Sequence, residues 1–211
     1  MTKPKLVLRQ IAACEAGIAM VEFAIAIPVF LLLLLGGLEL TNLAFTHMRI
    51  NQIAVTVSDN AGRVRSGIDE SNIYEVFAGA QLIGNSLNFA QNGRVILSSL
   101  EPNAQTGTNA GQMINWQRCY GSLAVTPSYG AQGAGRTNAS LATGMGPTGN
   151  KIIAGDGTAV MFVEVSFRYQ PLIFTGLPDS SRDIRYETAF NVRERTNQNI
   201  TNTQSLALRT C

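Results

Sequence analysis

The 211 residues have room for one membrane segment and one modest globular domain. A formal charge of +2, with no basic patch interleaved with aromatics, excludes nucleic acid as a partner. A single histidine, His47, and three cysteines, Cys14, Cys119 and Cys211, are too few soft ligands for a zinc or iron-sulfur site, so no metal and no cofactor are expected.

The apolar residues gather early. From Ile18 to Leu40 they are interrupted only by Glu22, Pro28, Gly36, Gly37 and Glu39, and about 20 such residues cross a bilayer core as a helix. Lys3, Lys5 and Arg9 precede the run, which places the N-terminus in the cytoplasm and the bulk of the chain outside. Cleavage as an ordinary secretory signal fits poorly, because the stretch is long and Gly37 to Ala44 offers no small-x-small site. Pro28 removes one intrahelical hydrogen bond and is expected to kink or loosen the helix.

Glu22 is the unusual residue. A carboxylate in a membrane helix costs about 2.5 to 3.5 kcal/mol at the bilayer centre and less near an edge. It is either an interfacial group favoured by the positive end of the helix dipole or a group with a partner. It lies five residues after Gly17, Phe23 follows it, and the apolar run starts directly after the glycine. This arrangement resembles the processing site of type IV pilins and pseudopilins. The longer string Gly17-Ile18-Ala19-Met20-Val21-Glu22-Phe23-Ala24, with Pro28 and the leucine run behind it, resembles more narrowly the TadE-like minor pseudopilins of tight-adherence pilus systems.

The resemblance implies a structural protein rather than an enzyme, with a prepilin peptidase cutting between Gly17 and Ile18 and residues 1–17 as a cytoplasmic leader. Glu22, beside Phe23, then serves subunit assembly, its carboxylate pairing with the new ammonium of a neighbouring subunit. The implied partners are other pilins or pseudopilins, the peptidase, an inner-membrane assembly platform and the lipid bilayer. Loss of the leader removes three bases and one acid, taking the formal charge from +2 to zero before the new amine is counted.

Beyond Leu40, Ile50, Ile53, Val57, Ala61 and Val64 recur in steps of three or four, so the helix is expected to continue as an amphipathic extension over 42–68. Asp69-Glu70-Ser71 supplies capping residues for a second helix of about 70 to 90, breaking near Gly84 or Gly93. Period-two runs then predict strands at 94–100, 113–120, 159–169 and 183–195. Met161, Val163, Val165, Phe167 and Tyr169 share one face of the third, and Glu164, Ser166 and Arg168 the other. Ile184, Tyr186, Thr188, Phe190 and Val192 align similarly in the fourth. One buried and one wet face describe an antiparallel sheet, giving an α+β, pilin-like architecture with an exported domain over 69–211.

Between the second and third strands, Gly121 to Gly157 is rich in Gly, Ser, Thr, Ala and Asn, and a loop this long is expected to be mobile or functional. It carries no phosphate-loop pattern. In an oxidising exterior Cys119 and Cys211 are an even pair, separated from Cys14 in the leader. Two other readings stay open: an uncleaved, signal-anchored periplasmic binding or interaction protein using the Gly-rich loop, and an exported hydrolase built from groups such as Ser128, Asp156 or Glu164, which no spacing recommends.

Overall fold

The structure, a computed structural model, describes residues 16–173 and 182–211. Residues 1–15 of the expected leader, Cys14 among them, lie outside the described residues. Helix α1 (Ala16–Arg63) is 48 residues long, about 72 Å at 1.5 Å per residue. It passes through Pro28 without a break. Its first half exposes Phe23, Ile25, Phe30, Leu32, Leu33 and Leu40, as a lipid-facing helix does. Its second half buries Ile50, Ile53, Ala54, Val57 and Ala61 completely.

Strand β1 (Ile68–Asp69) leads into α2 (Glu70–Gly84) and a short α3 (Phe89–Asn92). The Asp69 carboxylate accepts from Ser71 N, and Asn72 returns a bond to Asp69 N, completing a capping box. Helix α2 ends at Gly84, where a Cβ would stand 2.5 Å from that of Phe89. The main sheet follows: β2 (Gly93–Pro102), β3 (Gln112–Tyr120), β4 (Val160–Arg168) and β5 (Asp183–Asn191), in the antiparallel order β3-β2-β4-β5. A bulge falls between Ser98 and Leu100. A two-residue strand β6 (Ile200–Thr201) pairs in parallel with β1. The expected α+β architecture is therefore present.

The inner face of the sheet meets α1 and α2. Val95, Leu97, Trp116, Met161, Val163, Val165, Phe167 and Ile184 pack there against the buried stripe of α1 and against Ile73, Val76, Phe77 and Ala80 of α2. Small residues set the approach of α1 to β5. Thr188 Oγ1 donates to Ala54 O at 2.9 Å, the Ser58 and Thr188 hydroxyls lie 3.0 Å apart, and a Cβ on Gly62 would stand 3.2 Å from Asn191 O.

The opposite face of the sheet corrects the expectation that it is wet. Val160, Phe162, Glu164 and Ser166 are all buried, because residues 121–157 fold back as a third layer. Leu141, Met145 and Ala154 pack on Leu100, Ile114, Val160 and Phe162, with Tyr129 and Ile152 at the margin. Met145 and Ile152 bridge this layer through paired backbone hydrogen bonds of 3.0 and 2.7 Å. Gly144 has φ +81°, and a Cβ there would run into the Ile152 carbonyl, so glycine permits that closure. The same segment and the C-terminal tail cover the β3 edge: Ile114 N donates to Ala134 O at 2.9 Å and Cys119 N to Arg209 O at 2.7 Å.

Truncation of Phe162, 1% exposed and edge-on to Tyr129 at 5.3 Å, separates a packed layer from a mobile flap. Phe162→Ala is expected to destabilise the head by about 3 to 5 kcal/mol. Leu82→Ala, at a side chain 75% exposed, should stay within about 0.5 kcal/mol of the parent, both measured by denaturant titration in detergent.

Candidate functional site

Gly17, Ile18, Glu22, Phe23 and Pro28 all lie on the lipid-exposed half of α1, outside the head. Ile18 is 62% and Phe23 66% exposed, and Glu22 is exposed beside them. The head begins to touch α1 only near Glu39 and Asn42, about 25 to 30 Å further along the axis. Among the described residues no group of the head reaches the Glu22 carboxylate. A Cβ on Gly17 would meet nothing within 4 Å, and the same holds at Gly36 and Gly37. Since glycine in a helix interior costs about 1 kcal/mol relative to alanine, packing among the described residues gives no reason for any of the three.

Where helix and head meet, the structure supplies residues that sequence reasoning missed. Glu39 appeared only as an interruption of the apolar run. Its carboxylate accepts from the Tyr169 hydroxyl and from the backbone N–H groups of Leu172 and Ile173, both at 3.0 Å. Asn42 Nδ2 donates to the same Tyr169 hydroxyl at 2.8 Å. Burial, then the Glu39 hydrogen bond, push the Tyr169 phenol above its ordinary range, so it remains a donor. One turn on, His47 Nδ1 lies 3.2 Å from the Tyr186 hydroxyl. The partners of Glu39 stand about 130 positions away in sequence, which no local pattern could signal.

Cys119 and Cys211 come together, with Cα atoms 5.1 Å apart and the sulfurs bonded, a separation typical of a bridge. The tail leading to Cys211 is strapped down on the way. Tyr74 donates to Ala207 O at 2.8 Å, and the Arg209 guanidinium stacks 4.2 Å from the centre of the Tyr74 ring.

Of the three residues named for a hydrolase, Ser128 and Glu164 meet and Asp156 does not. Ser128 N donates to Glu164 Oε2 at 3.1 Å, and Arg185 donates to the Ser128 hydroxyl, to Glu164 at 2.7 Å and to Glu187 at 2.7 Å. The Tyr129 phenol donates to Glu187 at 2.8 Å; burial and that carboxylate push it up to about 12. The Arg185 guanidinium holds Ser128, Glu164 and Glu187 in one cluster. It ties the 121–157 layer to β4 and β5. A second buried pair, Arg118 with Glu70, fixes β3 to the start of α2. Among the described residues no three His, Cys, Asp or Glu side chains gather as metal ligands.

With this geometry established, comparison with known proteins adds one finding. The family model described as TadE-like protein matches residues 17–57, the segment running from the Gly17-Ile18 bond through the span to the first buried turns of α1. The match agrees with the resemblance read from the residues. No curated protein and no solved structure matches.

The Glu164 cluster makes a pH-dependent contribution of determinate sign. Burial pushes the Glu164 carboxyl above its ordinary 4.5, against the opposing pull of the Ser128 donors and Arg185. A carboxyl raised in the folded state binds more protons folded than unfolded, so its contribution to stability is lost as pH climbs from 4.5 through the folded value. Glu164→Gln should therefore gain stability relative to the parent between about pH 4 and about pH 7, as read by parallel denaturation curves. A constant difference across that range would count against this assignment.

Proposed function

We propose that this chain is a minor pseudopilin-like structural subunit that a prepilin peptidase processes between Gly17 and Ile18, and that takes part in assembling a tight-adherence type pilus or secretion apparatus. The observation that carries the reading is the family match over residues 17–57, on a helix whose first half carries an exposed carboxylate and no packing from its own head. The chain is anchored by a single pass with residues 1–17 inside and the head outside the cytoplasmic membrane. Lys3, Lys5 and Arg9 support that orientation.

The physical logic lies in two charges poorly solvated by lipid. Cleavage creates an ammonium at Ile18, one helical turn from Glu22. Each charge is expensive alone in hydrocarbon and becomes less so beside an opposite charge on a neighbouring subunit. Such pairing fixes the axial register of one helix against the next. Phe23 and the exposed aliphatic side chains around it supply the helix-to-helix surface. The role is assembly, and other pilins or pseudopilins and the inner-membrane platform are its partners.

Mass spectrometry of the membrane-isolated protein should give a mature N-terminus at Ile18 when the peptidase is present and the full leader when it is absent. Gly17→Leu should retain the leader in both cases. Glu22→Ala should be processed normally and yet fail to support piliation. An intact N-terminus with the peptidase present would instead favour an uncleaved, signal-anchored binding protein.

Export also bears on the cysteines. In an oxidising compartment the Cys119–Cys211 bridge closes a loop of 92 residues, worth roughly 4 to 5 kcal/mol by the chain-entropy account. Cys211→Ser should lower the denaturation midpoint accordingly, and reduction should bring the parent down to the variant.

A further inference from the structure

We infer that the segment Tyr169–Ile173 is a second membrane contact, with Leu172 seated in the lipid interface beside α1 and held there by Glu39. This rests on the reading of Ile18–Leu40 as the membrane span. Ile18 and Glu39 are 21 residues apart, about 31 Å along a helix, which is one hydrocarbon thickness. With Ile18 at the inner boundary, Glu39 stands at the outer one. The backbone N–H groups of Leu172 and Ile173 bind the Glu39 carboxylate at 3.0 Å, so these residues share its level.

Leu172 stands at the edge of the head, at the rim of a cavity shared with Phe167 and Asn92. It is 66% exposed, while Tyr169 behind it is buried, its hydroxyl fixed by Glu39 and Asn42. Pro171, Leu172 and Ile173 form an apolar triplet at the end of a strand whose previous exposed side chains are polar, Arg168 and Gln170. On α1 the neighbours at this height are also apolar and exposed: Leu38 at 54% and Leu40 at 68%. The triplet therefore continues the exposed belt of the helix sideways, and lipid is the occupant that already covers that belt.

The carboxylate explains how the arrangement holds. A lone Glu at the hydrocarbon edge favours water, but here it accepts three hydrogen bonds from the head, which satisfy it without pulling the helix outward. In turn the N–H groups of Leu172 and Ile173 are paired, as irregular chain near hydrocarbon requires. One span with one lateral contact limits the tilt of the head over the bilayer, where a single helix alone would leave it free.

The test uses the full chain in a Cys14→Ser background with the Cys119–Cys211 pair oxidised, placed in phosphatidylcholine–phosphatidylglycerol nanodiscs. An environment-sensitive fluorophore is attached at Leu172→Cys, Leu40→Cys or Leu32→Cys. Lipids brominated near the carbonyl end of the chain should quench the Leu172 label about as strongly as the Leu40 label. Lipids brominated near the chain terminus should quench the Leu32 label most. Glu39→Ala should return the Leu172 label to a water-exposed, red-shifted emission and leave the Leu40 label unchanged.

A Leu32 label that no brominated lipid quenches would overturn the membrane span itself. With the Leu32 label quenched, a Leu172 label that stays open to aqueous iodide overturns the second contact alone. A Leu172 label shielded from both iodide and bromine identifies a protein neighbour as the occupant and likewise overturns it. Unchanged quenching at Leu172 in the Glu39→Ala variant overturns the role given to Glu39.

Discussion

A backbone crossing hydrocarbon has to satisfy its own hydrogen bonds; α1 is long and apolar enough to do so, and its second half is also the central support of the head. Its two halves obey opposite rules. Up to Leu40 almost every large side chain points outward and is apolar. From Thr46 onward the buried stripe Ile50, Ile53, Ala54, Val57, Ser58 and Ala61 faces the sheet and α2. The helix is continuous from the apolar half into the head. The small residues Ala54, Ser58 and Gly62 let the backbone of α1 come close enough for Thr188 to bond a helix carbonyl directly.

The head is built in layers. The sheet is covered on both faces, by α1 and α2 on one and by residues 121–157 on the other, and one buried and one half-exposed ion pair fasten the layers. Arg118 ties β3 to Glu70 at the start of α2, and Arg185 ties β5 to Glu164 and to the outer layer. One oxygen of each buried carboxylate, Glu70 Oε2 and Glu164 Oε1, is left without a hydrogen-bond partner. Such pairs fix one arrangement more effectively than they stabilise it. The outer layer is poor in regular secondary structure, so its position depends on these contacts and on the Phe162 cluster.

Elements with strong local periodicity were legible in the sequence. The α1 stripe, the α2 cap at Asp69, the Gly84 break and the inner face of β4 each follow from spacing within a dozen residues. On the outer face of β4 only Arg168 is solvent-facing as its sequence suggests; Glu164 and Ser166 look so too until Val160 and Phe162 on the same face are given something to pack on. What they pack on, Leu141, Met145 and Ala154, is scattered through a Gly, Ser and Thr-rich stretch with no period to detect. The two-residue strands β1 and β6 are too short to leave a pattern. Pairings such as Glu39 with Tyr169 depend on tertiary placement alone.

The same contrast separates the two carboxylates of the membrane helix. Glu22 and Glu39 lie 17 residues apart, about 25 Å, one inside the apolar run and one near its outer limit. Glu39 accepts three hydrogen bonds from its own head, so its presence is explained within one molecule. Glu22 is exposed on bare helix, beyond the reach of the described head. Under the proposed function, its counter-charge is the new chain end of a helix lying alongside. Under that same proposal one glutamate serves the stance of the subunit and the other its contact with neighbours.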